Sequence, residues 1–130
     1  MGITKQSIQT QDAPSAVGPY SQAVVANGLI YCSGQIPIDP AKGEITAVDV
    51  AQQTHQVMKN LSAVLRAGNS HLNGIIKTTI YLKSLEDFGT VNEVYQSYLE
   101  KPYPARVTIE VSRLPLDCLV EIDAVAQVLE

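Results

Sequence analysis

The segment Pro102-Tyr103-Pro104-Ala105-Arg106 sets an arginine at the start of a strand-like run, in backbone that two prolines keep extended. A guanidinium held there offers a planar fork of donors that matches a carboxylate. Glu121 stands on the polar side of the last strand-like run. A carboxylate in that place either orients a water for attack or neutralises the arginine, and a structural ion pair of Arg106 with Glu110 or Glu121 is the plainer alternative. Gly18-Pro19-Tyr20-Ser21-Gln22-Ala23 and Ser33-Gly34-Gln35 read as rigid turns that present hydroxyls and backbone N–H groups. Other chemistry is poorly supported. His55 and His71 are sixteen apart with no partner at ligand spacing, so no metal site is expected. Cys32 and Cys118 sit in or beside apolar strand patterns and read as small buried hydrophobes rather than nucleophiles. No G-x-G-x-x-G, Walker loop or CxxC is present.

Composition narrows the class. The 130 residues fit one domain, 1–130, with 45% hydrophobic and 17% charged residues, which is ordinary for a globular chain. Nine basic against thirteen acidic residues give a net charge of −4, and with a pI near 5.1 the chain has no basic face for nucleic acid. No apolar run approaches the ~18–20 residues of a membrane span. Met1 to Gln6 shows neither an apolar h-region nor an Arg-rich amphipathic stretch, so a cytoplasmic location is expected. Two cysteines are too few for a disulfide scaffold.

The elements that must position Arg106 and Glu121 follow from periodicity and turn chemistry. Ile3 to Ile8 is a short strand; Gln22 to Ala26 and Leu29 to Ser33 form a hairpin about Asn27-Gly28, a pair suited to a type I′ turn. Pro37, Asp39-Pro40 and Lys42-Gly43 mark a loop. Thr46-x-x-Asp49 reads as a capping box for a helix carrying Val50, Val57, Met58, Leu61, Val64 and Leu65 on one face and ending at Gly68-Asn69. Ile75 to Leu82 is a strand. A second cap at Ser84-x-x-Asp87 opens a helix with the stripe Leu85, Phe88, Val91, Tyr95, Tyr98 and Leu99, stopped before Pro102. Arg106 to Ser112 alternates, with Val107, Ile109 and Val111 opposite Arg106, Thr108, Glu110 and Ser112. Leu119 to Val128 sets Glu121, Asp123 and Gln127 opposite Val120, Ile122, Ala124 and Ala126, and either role for Glu121 brings it near Arg106. The fold class is therefore α+β, a single mixed sheet with two helices on one face. Two helices cover one face only, yet Leu29-Ile30-Tyr31-Cys32 is apolar on both, so self-association is expected.

Five blocks in order and spacing carry a resemblance: Gly18-Pro19-Tyr20-Ser21-Gln22-Ala23, Tyr31-Cys32-Ser33-Gly34-Gln35-Ile36-Pro37, Phe88-x-x-Val91-Asn92-x-x-Tyr95, Pro104-Ala105-Arg106, and Val111-x-Arg113-Leu114-Pro115-x-Asp117-x-x-x-Glu121-Ile122. Together they resemble the RidA/YjgF family over nearly the full chain. The resemblance implies a chorismate-mutase-like fold, assembled as a homotrimer with clefts between subunits. It implies cofactor-free hydrolysis of enamine/imine intermediates (2-aminoacrylate/2-iminopropanoate and 2-aminocrotonate/2-iminobutanoate) to 2-keto acids and ammonia. These intermediates arise from pyridoxal-phosphate-dependent dehydratases, so a functional link to such enzymes is implied. Carried onto this sequence, Arg106 clamps the substrate carboxylate and Glu121 activates the attacking water. Tyr20, Ser33, Gly34 and Asn92 shape and polarise the pocket across the interface. Thr108 stands where many members carry cysteine, so a hydroxyl faces the substrate and thiol chemistry is lost there. A trimer that binds small carboxylates, or acts as a chaperone, without turning anything over is the competing reading. RNA cleavage, attached to some members, fits the acidic balance poorly.

Overall fold

Asn27 and Gly28 both adopt positive φ, 52° and 76°, and so close the expected hairpin between β2 (Ala23–Ala26) and β3 (Leu29–Gln35). The computed structural model describes residues 2–129. Before the hairpin, β1 (Gln6–Ile8) pairs antiparallel with β2. After it, β4 (Ile38–Asp39) and β5 (Glu44–Ile45) make a two-stranded ribbon in the segment expected to be loop alone. Helix α1 (Val50–Ala67), β6 (Ile75–Leu82), α2 (Phe88–Ser97), β7 (Ala105–Glu110) and β8 (Val120–Gln127) follow. The main sheet runs β1-β2-β3-β8-β6-β7; β6 and β7 are parallel and every other pair is antiparallel. The parallel pair needs a crossover, and α2 supplies it.

Both helices lie on one face, as expected. Val57, Met58, Leu61, Val64 and Leu65 of α1 are fully buried against Ile30, Ile80, Ile122, Ala124 and Ala126 of the sheet. The α1 cap lies three residues later than the capping box implies. The Asp49 side chain accepts from Gln52 N at 2.8 Å, so Thr46 falls outside the helix. At the other end Gly68 lets the chain pass close to the core, where a Cβ would collide with Ile8 and Ile30, and Asn69 takes the left-handed turn at φ 62°. Ser84 caps a short 3-10 turn, Leu85–Asp87, that leads into α2. Leu85 and Phe88 stay substantially exposed, so the buried stripe of α2 is narrower than its pattern implies and centres on Val91, Val94 and Tyr95.

Three buried amides tie loops to this scaffold. Asn60 donates to Ile36 O (3.1 Å) and Ile38 O (2.9 Å) and accepts from Gln56. Gln53 donates to Ala47 O and accepts from Leu119 N at 2.8 Å, which fixes the entry to β8. Gln22 gathers Thr10, Ala13 and Pro14. The other sheet face is bare in the single chain: Tyr31, Val107 and Ile109 keep 49%, 44% and 40% of their surface exposed. Replacing Asn60 by Ala leaves two loop carbonyls unpaired in a buried setting. This variant is expected to lose about 2–3 kcal/mol of stability, read as a lower midpoint in urea; an unchanged midpoint would show that the loops hold without it.

Candidate active site

Arg106 is the second residue of β7, and register decides where it points. β7 pairs with β6 as Thr78↔Arg106, Ile80↔Thr108 and Leu82↔Glu110, and Thr78, Ile80 and Leu82 are buried beneath the helices. Arg106, Thr108 and Glu110 therefore share the helix side of the edge strand, whereas Val107 and Ile109 face the bare side. The Arg106 guanidinium donates from Nη1 to Asn92 Oδ1 at 2.7 Å and lies 5.4 Å from the ring centres of both Phe88 and Tyr95. Tyr95 is itself held by a 2.7 Å hydrogen bond with Thr78 Oγ1. The arginine faces a cleft of about 630 Å³ lined by Asn92, Tyr95, Gln96, Lys101, Tyr103 and Pro104.

Among the described residues no carboxylate pairs with Arg106. Among the described residues the one ion pair is Arg113–Asp117, and Glu110 is spent accepting from Leu85 N at 2.9 Å. The structural ion pair anticipated as the plainer alternative is thus absent from the chain. Thr108, two residues on, has its Oγ1 buried without a hydrogen-bond partner, an acceptor and donor left over on the same side of the strand.

Glu121 belongs to a second group. Its neighbours Val120 and Ile122 are fully buried under the helices, so Glu121 points to the bare face. The expectation that Glu121 approaches Arg106 is corrected on two counts: β6 separates β8 from β7, and the two side chains leave opposite faces of the sheet. What Glu121 does meet is Gly34. Between the pairs Cys32↔Ala124 and Gln35↔Ile122, β3 holds one residue more than β8, and the bulge brings Gly34 under the Glu121 carboxylate. A Cβ on Gly34 would collide with that carboxylate. Ser33 in the same bulge donates its hydroxyl to Ser21 O at 2.6 Å and its N–H to Gln22 O, which fastens the Tyr20 loop beside it. Tyr20 is exposed, its hydroxyl accepting from Val17 N. The residues carried over from the resemblance therefore fall into two half-sites: Asn92, Arg106 and Thr108 on one side, Tyr20, Ser33, Gly34 and Glu121 on the other.

Sequence reasoning missed the aromatic walls of Arg106 and the Tyr81 hydroxyl, which donates to Asp123 Oδ2 at 2.9 Å beside Glu121. Partial burial raises the Glu121 carboxyl above the usual carboxylate range, and the Asp123 charge adds to the shift. Cys32 and Cys118 are buried as expected, and burial pushes their thiols up to about 12 and about 11, which suppresses thiolate chemistry. His55 bonds to the Tyr98 hydroxyl and His71 accepts from Asn73 N. Among the described residues no three His, Cys, Asp or Glu side chains converge as a metal site, and no helix is long and apolar enough to cross a membrane.

Known proteins identify the family of the chain. Residues 10–128 match the family model described as Endoribonuclease L-PSP. A RutC family protein of Pyrococcus horikoshii is 51% identical over 94% of this chain and 97% of its own length. A mouse protein named 2-iminobutanoate/2-iminopropanoate deaminase is 43% identical over 95% of this chain and 92% of its own. Among solved structures, a Rid-family protein of Yersinia pestis superposes with a TM-score of 0.94 at 46% identity, over 96% of this chain and all of that one. Escherichia coli TdcF with bound serine gives 0.89 at 39%, over 94% and 98%. The chain belongs to the RidA/YjgF family, within the group that the L-PSP model describes.

The Glu121 geometry carries a stability consequence. The folded chain holds this proton more tightly than the unfolded chain does, so folding becomes less favourable as pH rises through the carboxylate range. Glu121→Gln is expected to melt above the wild type at pH 7 and level with it near pH 4, as read by calorimetry at the two values. A variant that melts lower at pH 7 would mean that the charged carboxylate is a net stabiliser.

Proposed function

We propose that this chain hydrolyses small 2-imino acids and their enamine tautomers to 2-keto acids and ammonia. The observation that carries the reading is Arg106: a guanidinium clamped by an amide and two aromatic rings, with no carboxylate partner among the described residues, facing an open cleft. Such a group is preorganised for a carboxylate that arrives with the substrate. The deaminase name of the mouse relative supports the reaction, and serine bound to TdcF supports a ligand of amino-acid size and charge.

The opposite faces of Arg106 and Glu121 imply a shared site. In a homotrimer, the bare sheet face of one subunit meets its neighbour, and the half-site of Tyr20, Ser33, Gly34 and Glu121 closes over the Arg106 half-site of the next copy. The exposed Tyr31, Val107 and Ile109 supply the apolar surface for that contact. Arg106 then holds the substrate carboxylate, which fixes the C=N carbon within reach of a water at Glu121. Glu121 takes the water's proton as the oxygen adds to carbon. Glu121 returns that proton to the nitrogen, giving the tetrahedral carbinolamine; a second proton, from solvent, makes the nitrogen a leaving ammonia as the hydroxyl gives its own proton to Glu121 and the C=O of the keto acid forms. Asn92 keeps the guanidinium in plane, and the unpartnered Thr108 hydroxyl offers the substrate a further hydrogen bond. An imine carbon is electrophilic already, so placement and one activated water account for the chemistry.

The serine in TdcF also favours a second reading, a trimer that binds small carboxylates without turnover. One assay separates them. A pyridoxal-phosphate-dependent threonine dehydratase generates 2-iminobutanoate while semicarbazide traps the surviving imine. Catalytic amounts of wild-type protein are expected to suppress trapping, and Arg106→Ala to lose roughly 100-fold in kcat/KM, the worth of two charged hydrogen bonds. Glu121→Gln is expected to lower kcat about 10- to 100-fold with little change in KM. Trapping that the wild type leaves untouched, with 2-ketobutyrate still bound, would establish the binding reading instead.

A further inference from the structure

The bare face carries a second carboxylate that the proposed reaction leaves idle. Strands β6 and β8 pair with Tyr81 opposite Glu121 and Thr79 opposite Asp123, all four on the side away from the helices. Tyr81 leans along the face and donates its hydroxyl to Asp123 Oδ2 at 2.9 Å, while its own strand position stays beside Glu121. Glu121 and Asp123 are two residues apart on one strand, about 7 Å along it. Neither makes an ion pair among the described residues. Gly34 of β3 and Tyr81 of β6, which meet Glu121, carry no charge, and burial keeps the Cys118 thiol within its field protonated. Two lysines share this face: Lys77, opposite Val125, bonds to Thr79 Oγ1, and Lys83 follows the strand opposite Leu119; neither forms an ion pair with Glu121 or Asp123 among the described residues. Val107 and Ile109 of β7 close the far side without charge.

We propose that Tyr81 and Asp123 form a positioning pair for Glu121, in which the tyrosine hydroxyl pins a fixed negative charge beside the base and keeps it basic enough to take a proton from water. The inference rests on the reading of Glu121 as the water-activating group. The hydrogen bond from the Tyr81 hydroxyl holds the Asp123 carboxylate in place on this face. A like charge at that distance disfavours ionisation of Glu121, so its proton affinity rises toward the operating pH. Without the tyrosine, Asp123 loses this hydrogen bond and is free to turn away from Glu121. The pair touches neither Arg106 nor its cleft, so substrate capture is independent of it.

The test is a carboxyl-carbon NMR titration of Glu121 in the assembled wild type, Asp123→Asn, Tyr81→Phe and the double variant, run beside the pH profile of kcat. Asp123→Asn is expected to move the Glu121 titration and the acid limb of kcat to lower pH together, to lower plateau kcat about three- to tenfold, and to leave KM unchanged. Tyr81→Phe, a substitution that keeps the ring, is expected to shift both in the same direction by less and to add nothing once Asp123 is gone. An unmoved Glu121 titration in Asp123→Asn overturns the pair, as does a Tyr81→Phe effect of equal size with and without Asp123. A titration that shifts while kcat ignores it supports the pair's influence on Glu121 and overturns the base role assigned to Glu121 itself.

Discussion

Side chains alternate across a strand, and from that one constraint the rest of this site is organised. Arg106 shares the helix side of β7 with Thr108, and Glu121 shares the bare side of β8 with Asp123. No rotamer carries either group through a six-stranded sheet. A one-residue slip in either strand would reunite them on one face, but it would also turn Ile122 and Val120, or Val107 and Ile109, the wrong way. The register is locked by the core, so the separation of the two half-sites is as firm as the fold. In the proposed reaction the two groups are therefore halves of one site, and the uncovered apolar face is the surface that the proposed trimer uses to join them.

Each half is preorganised by a different device. On the helix side, the edge strand offers its polar residues to α2, and two aromatic rings with one amide hold a guanidinium that has no counter-charge among the described residues. The missing carboxylate is what makes the clamp receptive, since a structural partner would have to be displaced by every ligand. On the bare side, a bulge at Ser33 and Gly34 makes room for a half-buried carboxylate by omitting one Cβ. Burial without a cationic partner costs some stability, and that cost is the source of its raised proton affinity.

Much of the fold is legible from the sequence because its signals are local. The Asn27-Gly28 turn, the α1 stripe from Val57 to Leu65, the alternation of β7 and β8, and the burial of both cysteines all follow from nearest-neighbour patterns. The five family blocks likewise supply the candidate residues that the proposed reaction uses. Sheet order is not local, and there the reading fails: β7 and β8 are consecutive in sequence, yet β6 lies between them, so Arg106 and Glu121 part company. The buried amides Gln22, Gln53 and Asn60 were invisible for a related reason. A polar residue on a helix reads as solvent-facing until the loop carbonyls it binds are in place. The α1 cap moved to Asp49 because either residue of Thr46-x-x-Asp49 satisfies the pattern, and only packing chooses.

The central claim, that a working site takes Arg106 from one subunit and Glu121 from another, is open to a mixing experiment. Arg106→Ala and Glu121→Gln chains, each strongly impaired alone, are unfolded together and refolded into mixed assemblies, and imine hydrolysis is measured. Random assortment in a closed ring gives both groups intact at about a quarter of the sites, so activity is expected to return to roughly that fraction of the wild type. A mixture no more active than its two components, with mixed assemblies confirmed by native mass spectrometry, would contradict the shared site.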